Sequence, residues 1–376
     1  MRFVSRHVRW RWAVVVCGVA VLCAVPAIVA AFPVPGSSIT ATALRARILA
    51  SVTVPYQGYT ESTADFGLPA LPDLSDVSKL LDGTTDQYAW YRSPAHWRAD
   101  TLGTAGENDV YQVCRRTFLW YQAGNLLTRV VGGQPVRLPR AADLLPPALA
   151  VRLLRLAAPA DHLSRLPSLR VAGVDAAGLR LVPANPTTTV GAIEVWADPV
   201  SGLPVAVKIF PHGARQPVLV SNFLQLSQRR PALATVIPHP APSVDRATAR
   251  LSSLNGILNG GRRHPWPPEL GGLRLSVTPG NLTGVAFYGT GFARLALLPI
   301  QGRTGSQLVQ AATSAGAGTV TLPGGSAVLV QTPMLTVLLA TSDRFGGVTF
   351  LFAGPVTAAA LESAAGDLLT LIERLR

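Results

Sequence analysis

Apolar residues change their period several times along the chain, and each change marks a region. From Ala13 to Phe32 no position carries a charge. At a helical rise of 1.5 Å per residue this run is about 30 Å long, the thickness of a bilayer's hydrocarbon core. Beyond a Pro/Gly/Ser tether over 33–40, Thr42 to Ala50 reads as a short amphipathic helix, with Leu44 and Ile48 one turn apart. Strand-like runs then follow one another with turn residues between them: Val52 to Thr60, Gln87 to Tyr91, Trp97 to Thr101, Val110 to Cys114, Thr117 to Tyr121 and Leu126 to Val131. Their spacing predicts an antiparallel meander. Asp65 to Gly83, rich in Leu, Pro and Asp, interrupts it as a long loop or lid.

Ala141 to Ala157 switches to the helical period. Leu145, Leu149, Leu153 and Leu156 fall on one side, and Pro146-Pro147 mark the first turn. Strands resume at Arg170 to Val171, Leu179 to Val182, Gly191 to Ala197 and Val205 to Phe210. Asp198-Pro199-Val200-Ser201-Gly202 joins the last two as a hairpin, with Pro presetting φ and Gly taking a left-handed position. Prolines crowd 229–243, which reads as an extended linker. After it, Val244 to Leu258, Ser306 to Ser314 and Thr357 to Leu375 are expected to be helical. The strand-like runs of this part are Arg274 to Val277, Gly284 to Tyr288, Ala293 to Pro299, Ala327 to Gln331, Leu335 to Ala340 and Val348 to Phe352. The expected organisation is a cytoplasmic basic tail (1–12), an anchor or uncleaved signal (13–32), the tether, a first domain (41–228), the linker and a second, smaller α+β domain (244–376).

Charge sets the topology. Arg2, Arg6, Arg9 and Arg11 precede the uncharged run and should stay in the cytoplasm, which exports everything after Phe32. The length of the run favours a retained single-pass anchor. A signal peptide cut after Ala31, at Val29-Ala30-Ala31, is the alternative and would give a secreted protein. The chain has a net charge of +13, nearly all of it from arginine, with Lys79 and Lys208 the only lysines. The arginines are scattered, without a basic stripe or an interleaved aromatic platform, so nucleic acid is not an expected partner. Cys17 and Cys23 lie within the apolar run, leaving Cys114 alone beyond it. With no intramolecular disulfide to form there, stability must come from an apolar core. Cys114 falls in a strand-like run and reads as an inert, half-buried thiol.

The search for chemistry finds no machinery. The six histidines lie at no metal-ligand spacing, there is no G-x-S-x-G elbow, and Gly289-Thr290-Gly291 lacks the rest of a dinucleotide fingerprint. No catalytic residue, metal or cofactor is expected, and the protein reads as a non-enzyme. The aromatic residues are more informative. Trp90, Trp97, Trp120 and Trp196 sit in expected strands, with Tyr88, Tyr91, Phe118 and Tyr121 beside them. On a curved sheet such rings either fill a core or line an apolar cavity.

Several segments of the first domain carry a family likeness: Tyr56-Gln57-Gly58-Tyr59, Trp97-Arg98-Ala99-Asp100 after Ser93-Pro94, Phe118-Leu119-Trp120-Tyr121, and above all Val195 to Pro204. In their order and spacing they resemble the LolA-like superfamily over roughly residues 41–228. Trp266 to Leu270, Gly284 to Tyr288 and Thr349 to Val356 are similar to the second domain of its RseB/MucB-type sigma-factor regulatory branch, which the LolA carriers lack. The resemblance implies an α+β fold: a strongly bent antiparallel half-barrel sheet covered by helices, followed by a smaller α+β domain. It also implies an apolar cavity for the acyl chain of a membrane lipid or lipoprotein, and a membrane partner such as an anti-sigma factor. Lipid or lipoprotein carriage is the alternative function. The residues expected to line the cavity are Trp90, Trp97, Trp120, Trp196, Phe118, Tyr88 and Val195, with Leu149 and Leu153 on the covering helix. The departure is the candidate anchor, because regulators of the RseB type are soluble in the periplasm.

Overall fold

Thr40 ends the tether by capping the first helix: its hydroxyl accepts from the Ala43 N–H at 3.2 Å. That helix, α1 (Ala41–Ala50), buries Leu44 and Ile48, the pair that the periodicity picks out. The structure, a computed structural model, describes residues 15–16, 34–67, 75–104, 106–131, 139–250, 266–276, 284–342 and 348–374. The expected span over 13–32 lies outside the described residues except for Val15 and Val16. Among the described residues no helix is long and apolar enough to cross a membrane.

The first sheet has twelve strands. They are β1 (Tyr56–Asp65), β2 (Asp82–Ser93), β3 (His96–Gly103), β4 (Gly106–Val113), β5 (Arg116–Tyr121), β6 (Leu126–Val131), β7 (His162–Val171), β8 (Val174–Val182), β9 (Val190–Ala197), β10 (Pro204–Pro211), β11 (Leu219–Ser227) and β12 (Asp245–Arg250). Their order is β12-β6-β5-β4-β3-β2-β1-β11-β10-β9-β8-β7, so β12 and β7 are edges and the sheet is curved but unclosed. Within the loop expected over Asp65 to Gly83, α2 (Ser75–Leu81) packs on β1 and β2, and residues 68–74 lie outside the described ones.

A 3-10 turn (Ala141–Leu144) leads into α3 (Pro146–Leu156), with Pro146 in its first turn. Leu149, Ala150, Val151 and Leu154 form the helix's buried side, and Leu153 stays half-buried at the margin. Helices α1 and α3 cover the same core, where Leu44, Ile48, Leu149 and Leu154 meet Leu179, Ile193, Val195 and Val207. Arg45 ties the two helices by donating to the Leu154 carbonyl at 2.9 Å.

The second sheet runs β13-β14-β15-β16-β20-β19-β18-β17. Its strands are β13 (Glu269–Leu270), β14 (Leu273–Ser276), β15 (Ala286–Thr290), β16 (Ala293–Gln301), β17 (Gly318–Leu322), β18 (Gly325–Gln331), β19 (Thr336–Ser342) and β20 (Val348–Gly354). Helix α4 (Arg303–Ser314) lies largely exposed, whereas α5 (Ala358–Arg374) buries Leu361, Ala364, Ala365, Leu368 and Leu369 in the core of this sheet.

Two expectations change here. The helix expected over Val244 to Leu258 is a strand at Asp245–Arg250, and residues 251–265 lie outside the described ones. That strand pairs in parallel with β6, and its start is pinned by two hydrogen bonds: the Asp245 N–H donates to the Asn125 carbonyl at 3.0 Å, and Asn125 Nδ2 donates to the Ser243 carbonyl at 2.7 Å. An open sheet edge overrides the weak local preference of Asp-Arg-Ala-Thr-Ala-Arg. The Pro-rich stretch, in turn, is docked for part of its length. Arg92 donates to the Pro231 carbonyl at 2.7 Å, Pro231 and Val236 are buried, and the turn Ala234–Val236 packs against β2, β3 and β4.

Candidate functional site

Alternation along β2–β6 gives the sheet two chemically different faces. Cross-strand pairing places Tyr91 opposite Trp97, Trp97 opposite Gln112, Gln112 opposite Thr117, and Thr117 opposite Val130. This row is one wall of a cavity of about 320 Å³, roofed by Ala142, Leu145 and Ala148 from the 3-10 turn and the start of α3. Tyr56 closes it from β1. Its ring stacks on Tyr91 with centroids 5.1 Å apart and planes 7° apart, and meets Phe223 edge-on at 5.6 Å. The Tyr91 hydroxyl donates to the Val52 carbonyl at 2.7 Å, and burial pushes its pKa up to about 12. Burial raises the Tyr56 pKa further. Both phenols therefore stay neutral and act as rigid aromatic walls.

Arg98, Gln112, Thr117, Arg140 and Asp143 supply the polar part of the lining. The Arg140 N–H donates to Asp143 Oδ2 at 2.9 Å, so this carboxylate caps the turn that forms the roof. Gln112 is tied on both sides: it accepts from the Thr117 hydroxyl at 2.9 Å and donates to the Cys114 carbonyl at 2.8 Å. The volume is at the low end of small-molecule sites. Mixed aromatic, aliphatic and polar walls suit a slender apolar chain with a polar end.

Of the residues expected to line the cavity, Trp97 does so. Tyr88, Trp90, Phe118 and Trp120 project from the opposite face, because each is one residue out of step with the cavity row. There they surround a buried polar cluster. Arg98 lies 5.1 Å from the Trp90 ring centroid and 5.0 Å from that of Tyr111, and Tyr111 lies 6.4 Å from Trp120. Arg98 donates to Asp100 at 2.5 Å and to Asp109 at 3.2 Å, while the Tyr111 hydroxyl and Gln122 Nε2 also donate to Asp109. Burial raises the Asp100 pKa to about 7, opposed by the Arg98 hydrogen bond and reinforced by Asp109 and Glu107. Carboxylate oxygens of Asp100, Glu107 and Asp109 come within 4.8 Å of one another, and Arg98 offsets part of their charge.

The remaining expected residues are structural in their contacts. Trp196 donates to the Pro167 carbonyl at 3.1 Å and carries Lys208 5.2 Å from its ring centroid. Val195, next in sequence and on the other side of β9, is fully buried with Leu149 under α3, and Leu153 packs at the edge of the same core. Cys114 is exposed at φ +55 in the β4–β5 turn rather than half-buried in a strand. Its Sγ lies 3.7 Å from His96 Nε2.

Sequence reasoning passed over Tyr56, Tyr91, Ala142 and Leu145 as lining residues. Hairpin parity alone points the other way: regular pairing from a turn at Pro94-Ala95 sets Arg92 across from Trp97, and it is the register shift between Tyr91 and Ser93 that brings Tyr91 there instead.

No protein-family model and no curated protein matches the sequence. Among solved structures, the chain is similar to the Pseudomonas aeruginosa MucA/MucB complex structure at 16% identity and a TM-score of 0.49, over 86% of this chain and 96% of that one. A crystal structure of MucB gives 19% identity and a TM-score of 0.43, again over 86% and 96%. A LolA superfamily protein from Nitrosomonas europaea gives 10% identity and a TM-score of 0.22, over 54% of this chain and 99% of that one. The chain is thus similar to MucB over most of its length and to a LolA superfamily protein over about half of it, at identities and TM-scores that leave the account of the site to its own residues.

Proposed function

We propose that the protein is a non-enzymatic, membrane-tethered extracytoplasmic regulator or carrier. It holds an acyl chain in the cavity between β2–β6 and the turn before α3, and its second domain contacts a membrane protein such as an anti-sigma factor. The cavity carries this reading: an aromatic wall of Tyr56, Tyr91 and Trp97 under an aliphatic roof of Leu145 and Ala148, with Arg140 in the lining. Burying methylenes there is favourable by about 0.8 kcal/mol each. Ordering costs limit the net affinity to about the micromolar range. The sequence likeness to RseB/MucB-type regulators supports the same reading.

Native mass spectrometry of the full-length chain tests it, with a co-purifying lipid as the expected result. A chain that neither co-purifies with lipid nor takes up added fatty acid would remove the ligand from the proposal. The tether is tested separately by a phosphatase fused after Arg376, which should be active. An intact N-terminus favours a tethered regulator, whereas cleavage after Ala31 favours a released carrier.

A further inference from the structure

One buried polar group, two residues along β2 from the cavity lining, lacks a hydrogen-bond partner among the described residues. Gln87 is fully buried, and among the described residues neither its Nε2 nor its Oε1 has a hydrogen-bond partner. Its polar neighbours in this interior are satisfied. Thr60 donates to the Gln87 main-chain carbonyl at 3.4 Å, Ser62 donates to Ser221 at 2.9 Å, and Ser221 donates to the Leu144 carbonyl at 2.5 Å. Leaving a whole carboxamide unpaired in such a place costs more than replacing it with an apolar side chain of similar size.

Its position suggests what it awaits. Gln87 is two residues from Ala89 and four from Tyr91 along β2, so all three share one face, and the latter two line the cavity. Ala89 pairs with Ala99 across the sheet, and both are nearly fully buried. Along this face, methyl groups are thus the side chains between the cavity and Gln87. A ligand chain passing over Ala89 would bring its polar group to the carboxamide.

We propose that Gln87 is the specificity-determining anchor of this cavity and selects an amide-linked acyl chain over an ester-linked one. This rests on the acyl-binding reading above. The argument is one of complementarity. The orphaned Oε1 needs a donor and the orphaned Nε2 needs an acceptor, side by side. A secondary amide is trans, with its N–H and C=O pointing in opposite directions, so its N–H can donate to Oε1 while an acceptor elsewhere in the ligand, such as the carboxylate of an N-acylglycine, takes the Nε2 hydrogen. An ester offers acceptors alone and leaves Oε1 unpaired, which is the costly outcome in a buried site.

Two probes that differ only in that link provide the test: N-dodecanoylglycine and O-dodecanoylglycolic acid, titrated calorimetrically into the full-length chain. The wild type should bind the amide about tenfold more tightly, the order expected for one buried group left unpaired. Gln87→Leu should bind both probes equally and, without ligand, melt at a higher temperature than the wild type. Trp97→Ala should weaken both probes by the same factor and keep the preference for the amide. Equal affinities in the wild type, as expected if ordered water already satisfies the carboxamide, would overturn the anchor while leaving acyl binding intact. A preference that survives in Gln87→Leu would do the same. Failure of the wild type to bind either probe would overturn the acyl reading itself.

Discussion

At the residue scale, two faces of the same strands carry different chemistry, and single substitutions separate them. Trp97 belongs to the cavity wall, whereas Trp120 lies on the other face beside Tyr111. Trp97→Ala should therefore abolish a fatty-acid-dependent change in tryptophan fluorescence, and Trp120→Ala should preserve it. Loss of the response in both variants would mean that the faces are coupled. Asp100 gives the second test. Its pKa of about 7 lies well above the ordinary value of 3.8, so between these values the folded protein holds a proton that the unfolded chain releases. Stability from this group is complete below about pH 4 and is lost as pH rises to about 7, with a slope of at most about 1.4 kcal/mol per pH unit for one proton. Denaturant titrations across that window should show the decline, and Asp100→Asn should flatten it. An unchanged slope would place the titration elsewhere.

At the scale of elements, the best-specified piece is the β9–β10 hairpin, legible from five residues. Asp198 accepts from the Val200 N–H at 2.9 Å and from the Ser201 hydroxyl and Gln228 Nε2 at 2.8 Å each, and Gly202 takes φ +74. A Cβ at Gly202 would also collide with the Arg47 carbonyl of α1. Gly202→Ala should therefore cost about 1–3 kcal/mol, read from the shift of a chemical denaturation midpoint. A loss near zero would show that α1 moves aside freely. The strands of the meander and the last helix were legible for the same reason: turn residues and periodicity are local signals. Strand β12 was not, since Asp245–Arg250 has no strand-like composition and owes its conformation to the free edge of β6. Nor was the face of each tryptophan. Alternation is local, but which phase points inward depends on hairpin register and on the turn that supplies the roof, both fixed by pairing distant in sequence. The family resemblance implies a cavity, whereas the aromatic residues alone fit a filled core equally well and do not assign its lining, since Tyr88, Trp90, Phe118 and Trp120 lie on the other face.

At the scale of the whole molecule, the two sheets are joined through a run of three threonines. The Thr189 N–H donates to the Pro355 carbonyl at 3.0 Å, and the Thr357 N–H donates to the Thr187 carbonyl at 2.8 Å, a short antiparallel bridge around Thr188 and Val356. The Thr188 hydroxyl is 2.9 Å from the Pro355 carbonyl and 3.1 Å from that of Phe292, and the Thr189 hydroxyl donates to the Met334 carbonyl at 2.6 Å. Phe292 and Met334 come from the second sheet's turns yet sit in the first domain's core with Leu149, Leu154 and Val190. That core also holds α3, whose first turn helps roof the cavity, so the junction and the roof share one packed helix. A packed core transmits displacement instead of absorbing it. Thr188→Val keeps the side chain's shape and removes its hydroxyl, which takes from the Phe292 carbonyl a donor 3.1 Å away and from the Val190 N–H its acceptor at 3.2 Å, while the Pro355 carbonyl keeps the Thr189 N–H. The expected cost is about 1–3 kcal/mol. If the two parts unfold as one unit, as this shared core implies, the wild type should show a single calorimetric transition. The substitution should then lower that transition or split it, with the lower component belonging to the second sheet. Two resolved transitions in the wild type, with neither moved by Thr188→Val, would show that the junction carries no coupling and that the cavity is stabilised by the first sheet alone.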